Sequence, residues 1–179
     1  MIECAAERRK AMEEYDEDKT IFEFENEEVT LAVWIDKYGD DPAYVDDGVA
    51  PSDKRVRRNG LGCGRSFAWK NGGGYGCMFI PEFILASDVA ALRDGVHDFM
   101  TGKVSRFGPF PEKDPYGGNR PFFSLTLFRG QDNQIGFSVT TDVPASEIEY
   151  VDGEMSEARL SELHDYYARL AEWFPVRIE

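Results

Sequence analysis

The stretch Ile21-Phe22-Glu23-Phe24-Glu25-Asn26-Glu27-Glu28-Val29-Thr30-Leu31-Ala32-Val33-Trp34-Ile35 decides how the chain folds. In its first part Phe22 and Phe24 alternate with Glu23 and Glu25. In its second, Val29, Leu31, Val33 and Ile35 alternate with Thr30, Ala32 and Trp34. A period of two places successive side chains on opposite faces of a pleated strand. Asn26-Glu27-Glu28 interrupts the alternation with polar residues, so the stretch reads as two antiparallel strands joined by a short turn.

Working outward, Tyr38 to Asp53 reads as an acidic loop holding Pro42, Gly48 and Pro51. The dense basic run Lys54-Arg55-Val56-Arg57-Arg58 follows, read as a solvated strand or loop that compensates its acidic neighbours, with an anion-binding patch as the alternative. Phe67, Trp69, the turn Asn71-Gly72-Gly73-Gly74, then Tyr75, Cys77 and Phe79 form a hairpin pattern. Gly60, Gly62 and Gly64 ahead of it mark a bulge or a close backbone approach; they complete neither a dinucleotide fingerprint nor a phosphate loop. A helix is expected from Ser87, whose side chain would cap it, with Asp88 at the positive end of the dipole, Val89, Leu92, Val96, Phe99 and Met100 on one face, and Gly102 as its stop. Residues 107–121, with four prolines and three glycines, read as a long irregular connection. Phe123, Leu125 and Leu127, a polar turn over 129–134, and Ile135, Phe137 and Val139 make another hairpin. Ser156 caps a last helix with Leu160, Leu163, Tyr167, Leu170 and Phe174 at 3,4 spacing, ended by Pro175.

Strands in hairpins with two inserted helices do not alternate as in a parallel doubly wound sheet. The fold class is therefore α+β: an antiparallel β-sheet or sandwich of at least six strands with two amphipathic helices packed at one side. The 179 residues suit a single domain over 20–179 that stabilises one core without metal or disulfide help. Residues 1–19 are rich in helix formers but carry a thin apolar stripe, and read as a loosely docked or frayed helix. No internal repeat and no low-complexity linker divides the chain. No apolar run reaches transmembrane length and no secretory pattern opens the sequence. Cys4, Cys63 and Cys77, odd in number and without a CxxC pair, suit reduced thiols in a cytoplasmic protein.

Charge is the strongest global signal. The formal net charge is −14, and residues 1–54 hold 17 acidic and 6 basic side chains, a net of −11. Such a surface repels phosphate backbones and acidic membranes and attracts cationic partners, which disfavours direct nucleic-acid binding.

A search for catalytic chemistry finds little. His97 and His164, the two histidines, lie outside any HExxH or HxH arrangement and read as structural residues of their helices. Spacing supplies no support for a dyad of either with Cys63 or Cys77. Asp36, Asp40, Asp41, Asp46 and Asp47 fall within 12 residues, but the alternating register of a calcium loop and its closing Glu are missing. No cofactor and no metal site is expected.

The same acids make better sense together. Asp36, Asp40, Asp41, Asp46, Asp47 and Asp53, interleaved with Trp34, Tyr38 and Tyr44, combine long-range attraction for a basic surface with aromatic anchors, unless the aromatics pack inward as ordinary core. The candidate partner-binding set is Asp36, Tyr38, Asp40, Asp41, Tyr44, Asp46, Asp47 and Asp53.

The order of elements resembles that of the WapI-type immunity proteins of bacterial polymorphic toxin systems. The resemblance rests on Leu31 to Trp34 in an early acidic strand and on Phe83-Ile84-Leu85-Ala86-Ser87-Asp88-Val89 leading into a helix with Leu92 that closes at Gly102. It continues through the paired strands Phe122 to Phe128 and Gln134 to Thr140 to the Leu-rich helix ending at Phe174-Pro175, covering about residues 20–177. Membership would imply a cytoplasmic, non-enzymatic inhibitor of a cognate toxin, and assigns no individual binding residue. The expectation is an acidic binding protein, monomeric or a small homo-oligomer, that blocks a basic partner such as a nuclease toxin. Its rivals are a phage-encoded nucleic-acid mimic acting on a restriction or CRISPR effector, a metal-dependent hydrolase built on Asp36 to Asp47, a carbohydrate-active enzyme stacking sugars on Trp69 and Tyr75, and a scaffold within an assembly.

Overall fold

A computed structural model of the chain describes residues 21–38, 58–71, 75–112, 123–141 and 150–177. The element order is β1 (Ile21–Glu25), β2 (Val29–Tyr38), β3 (Gly60–Trp69), β4 (Tyr75–Leu85), α1 (Ala86–Met100), β5 (Arg106–Phe110), β6 (Phe123–Arg129), a 3-10 turn (Gln131–Asn133), β7 (Ile135–Thr141), β8 (Tyr150–Met155) and α2 (Glu157–Trp173). β1-β2-β3-β4 form one antiparallel four-stranded sheet in that order, and β5-β6-β7-β8 form a second. The α+β class holds, with eight strands and two helices among the described residues. The sequence shows no internal repeat, yet the elements repeat: four meandering strands then a helix, twice. No helix among the described residues is long and apolar enough to cross a membrane.

The opening stretch folds as its period dictates. Phe22, Phe24, Val29, Leu31, Val33 and Ile35 are buried, while Ile21, Glu23 and Glu25 point outward from edge strand β1. The turn is built by Asn26, whose Oδ1 accepts from the backbone N–H groups of Glu28 and Val29, both at 2.9 Å. The same side chain donates through Nδ2 to the Asp152 carbonyl of β8 at 3.0 Å, tying the edge of the first sheet to that of the second.

Two segments depart from their sequence reading. Residues 107–121 begin as strand, not as an irregular connection: β5 pairs Phe107 with Leu127 and Phe110 with Leu125, with a bulge at Gly108 and Pro109. A proline costs a ladder hydrogen bond in a central strand, but β5 lies at the edge of its sheet, where no further strand needs that donor. Pro81 is accommodated the same way in edge strand β4, at a shift in pairing opposite Gly62. The first helix starts at Ala86 rather than Ser87, and Ser87 is exposed. Asp88 caps it, its Oδ2 accepting from the Leu85 N–H at 3.1 Å. The second helix begins as expected, with Ser156 Oγ accepting from the Arg159 N–H at 3.1 Å.

One apolar core joins all the layers. Helix α1 contributes Ala86, Val89, Leu92, Val96 and Phe99; α2 contributes Leu160, Leu163, Tyr166, Tyr167 and Leu170. The helices pack on each other, Phe22 meets Tyr166 at 5.6 Å between ring centroids, and Phe24 of the first sheet meets Phe137 of the second at 5.5 Å. Each such ring removed from water contributes about 1.5–3 kcal/mol, and this pair does so across the two sheets.

Candidate functional site

Of the eight candidate partner-binding residues, Asp40, Asp41, Tyr44, Asp46, Asp47 and Asp53 lie outside the described residues, and Asp36 is placed by its backbone in β2. Tyr38 is the one whose surroundings are defined. It closes β2 opposite Leu61, so the stretch between β2 and β3 leaves and re-enters at one end of that hairpin. The segment after α2 holds both of its roots. Tyr38 Oη donates to the Pro175 carbonyl at 2.6 Å, its ring meets Phe174 edge-on at 5.6 Å, and the Arg177 guanidinium lies 3.4 Å from its centroid. On the other root, Asn59 Oδ1 accepts from the Arg177 N–H at 2.8 Å while its Nδ2 donates to the Arg177 carbonyl at 3.3 Å. An amide side chain that engages both backbone groups of one residue stands in for a strand partner. Tyr38 is thus a fastening point at the base of the acidic stretch.

The outward face of the first sheet is defined along β1 and along β2 as far as Ile35. Cross-strand register sets Ile21, Trp34 and Gly64 in one row, Glu23, Ala32 and Ser66 in the next, and Glu25, Thr30 and Ala68 in a third. Trp34 therefore faces away from the core, half-buried because its indole lies flat over Gly64, where a Cβ would come within 2.0 Å of the ring. Ile21 beside it is 43% exposed. Glu23 and Glu25 follow on the same face of β1, and Glu27 and Glu28 stand in the turn at the other end of the hairpin, all exposed. Basic groups nearby are sparse among the described residues: Lys70 pairs with Glu25 at 3.1 Å, and Arg159 of α2 donates to the Glu23 carbonyl at 2.7 Å with its guanidinium 4.2 Å from the Phe22 centroid. An exposed ion pair such as Lys70–Glu25 contributes at most about 1 kcal/mol and leaves the field of the patch largely intact.

Cys63 is buried, and burial pushes its thiol up to about 12, only partly opposed by the Arg65 charge. A nucleophilic cysteine needs the opposite shift. Arg65, 1% exposed, lies on the inner face of β3 opposite Val33. Tyr166 Oη donates to the Val33 carbonyl at 3.5 Å, while the Tyr167 hydroxyl is buried with no hydrogen-bond partner among the described residues and is pushed up by burial. Trp69 packs against the core opposite Val29, and the Tyr75 backbone pairs with Ala68. No group of three or more His, Cys, Asp or Glu among the described residues is arranged to hold a metal ion. His97 and His164, which no sequence spacing connects, meet across the helix pair at 5.4 Å between ring centroids.

The sequence matches no protein-family model and no curated protein.

Proposed function

We propose that the protein is a non-enzymatic acidic binding protein that covers a basic partner in the cytoplasm, in the manner of an immunity protein that blocks its cognate toxin. One observation carries this reading: the exposed carboxylates Glu23 and Glu25 share the outward face of β1 with the apolar step formed by Ile21 and Trp34, and Glu27 and Glu28 stand exposed in the turn at the far end of the same hairpin. Carboxylates accelerate encounter with a cationic surface, and an apolar step beside them holds what has docked. Residues 1–54 as a whole carry a net charge of −11, which strengthens attraction for a cationic partner.

The test is kinetic. Association with basic nuclease domains is measured in rising salt, for the native chain and for the variant Glu23→Lys/Glu27→Lys, with Asp40, Asp41, Asp46 and Asp47 reversed in a second variant. The expected result is an association rate that falls on the order of tenfold or more with salt and with charge reversal, while dissociation changes little. A tight complex indifferent to both salt and charge reversal overturns the reading.

A further inference from the structure

The chain has two histidines, and the fold brings them together from different helices. His97 sits in the last turn of α1 and His164 near the middle of α2, with ring planes inclined at 45° and centroids 5.4 Å apart. We propose that His97 and His164 clasp one divalent transition-metal ion of the zinc class between α1 and α2.

Geometry supports the clasp. A zinc ion binds an imidazole nitrogen at about 2.0–2.1 Å in a tetrahedral arrangement, which sets two ligating rings roughly 5.2 Å apart between centroids. The observed centroid spacing of 5.4 Å is compatible with that separation. The second shell is also in place on one side: His164 Nδ1 lies 3.3 Å from Asp165 Oδ1. A carboxylate there favours the proton on Nδ1 and leaves the Nε2 lone pair free for a metal, the usual orienting device for ligating histidines. His97 is exposed and the His164 side chain is 23% exposed, so an ion reaches the pair from solvent. The nearest carboxylates on α1 are engaged elsewhere, Asp94 with Arg93 at 2.8 Å and Asp98 with Lys103 at 2.6 Å, so the remaining coordination positions belong to water. A two-imidazole site suits zinc, copper and nickel and discriminates against magnesium and calcium, which take oxygen ligands. Because α1 completes the first run of strands and α2 the second, a shared ion cross-links the two halves of the fold.

The test is a thermal melt of the native chain with zinc, nickel or magnesium ions, repeated for His97→Ala, His164→Ala and the double variant. Both imidazoles reach solvent, so the variants are expected to fold. At a zinc concentration about tenfold above its dissociation constant, Tm rises by roughly 3–6 °C; nickel does the same, magnesium does not, and each single variant loses the shift. Electron paramagnetic resonance of the copper complex gives a second readout, with two nitrogen ligands in the native chain and fewer in either variant. A zinc shift that survives in the double variant, or a copper signal with oxygen ligands alone, assigns the binding to surface carboxylates and overturns the proposal. Neither outcome bears on the acidic partner-binding face, whose residues these variants leave untouched.

Discussion

The first half of the chain, β1 to α1, and the second, β5 to α2, arrive at the same order of elements from unlike residues. Each sheet lays an aromatic ring over a cross-strand glycine on its outward face: Trp34 over Gly64 in the first, Phe128 over Gly136 in the second. Each runs its last strand directly into a helix. Even the caps are complementary. A full capping box has the N-cap side chain reach forward to the third helical N–H while the third residue reaches back; α1 keeps the backward arm in Asp88, and α2 the forward arm in Ser156. What differs is polarity. Both edge strands β1 and β8 carry exposed acids, but among the described residues the first half buries a cationic Arg65 beside a thiol, while the second buries the uncharged Ser124 and Thr126. Burial pattern, strand pairing and helix entry are enough to build this half-fold; the polar residues are free to specialise.

The largest effect expected on this comparison comes from the ring pair that joins the halves. Phe137→Ala and Phe24→Ala are each expected to cost about 3–5 kcal/mol in urea unfolding. Contact between the rings makes the double variant less costly than the sum. A strictly additive result would mean that the halves are stabilised separately.

Next come the glycines under the aromatic rings. Gly64→Val would drive a side chain into the Trp34 indole, and Gly136→Val into the Phe128 ring at 2.4 Å. Each is expected to cost about 1–3 kcal/mol, with Gly64 the worse because Phe128 is 38% exposed and has room to swing out. Equal losses in chemical denaturation would show that the second ring is as tightly held as the first.

Smaller still are the caps. Ser156→Ala is expected to cost about 1 kcal/mol, and Asp88→Ala a similar amount, read as a shift of the urea midpoint with unchanged slope. Asp88 adds a pH signature that Ser156 lacks. Burial raises its carboxyl above the ordinary value, more than the Leu85 N–H lowers it. The folded state therefore holds that proton more tightly than the unfolded chain, and stability declines as pH climbs from the unfolded value of about 3.8 through the raised folded one. Asp88→Asn keeps an acceptor for Leu85 and removes the titration, so its stability profile as pH climbs above 3.8 is expected to be flatter than that of the native chain. A parallel profile would locate the decline in another carboxylate.

The sequence was readable where a local period reported a face. β1, β2, β6, β7 and α2 announced themselves through alternating or 3,4 spacing, and Ser156 through cap chemistry. β8 carries the same signal in Val151, Gly153 and Met155 alternating with the exposed Asp152 and Glu154, but the run is too short to mark a strand by itself. β5 was hidden by Pro109, because a proline reads as a strand breaker until the strand is known to be an edge. Of the candidate site, the acidic character was plain in composition, whereas the use of Tyr38 as a fastening point depends on residues 174–177 and the meeting of His97 with His164 on the packing of two helices. Contacts between distant parts of a chain leave no local periodicity to read.

The hydrogen bond from Tyr38 to Pro175 spans 137 positions, and the one from Arg177 to Asn59 spans 118. During synthesis the β2–β3 hairpin is made long before the residues that lock its open end, so nascent chains halted ahead of position 174 carry a first sheet whose mouth is unlatched. Such chains would expose the aromatic base of the acidic stretch to chaperones and proteases, and release of the locked form becomes a checkpoint on having translated α2 and the four residues beyond it.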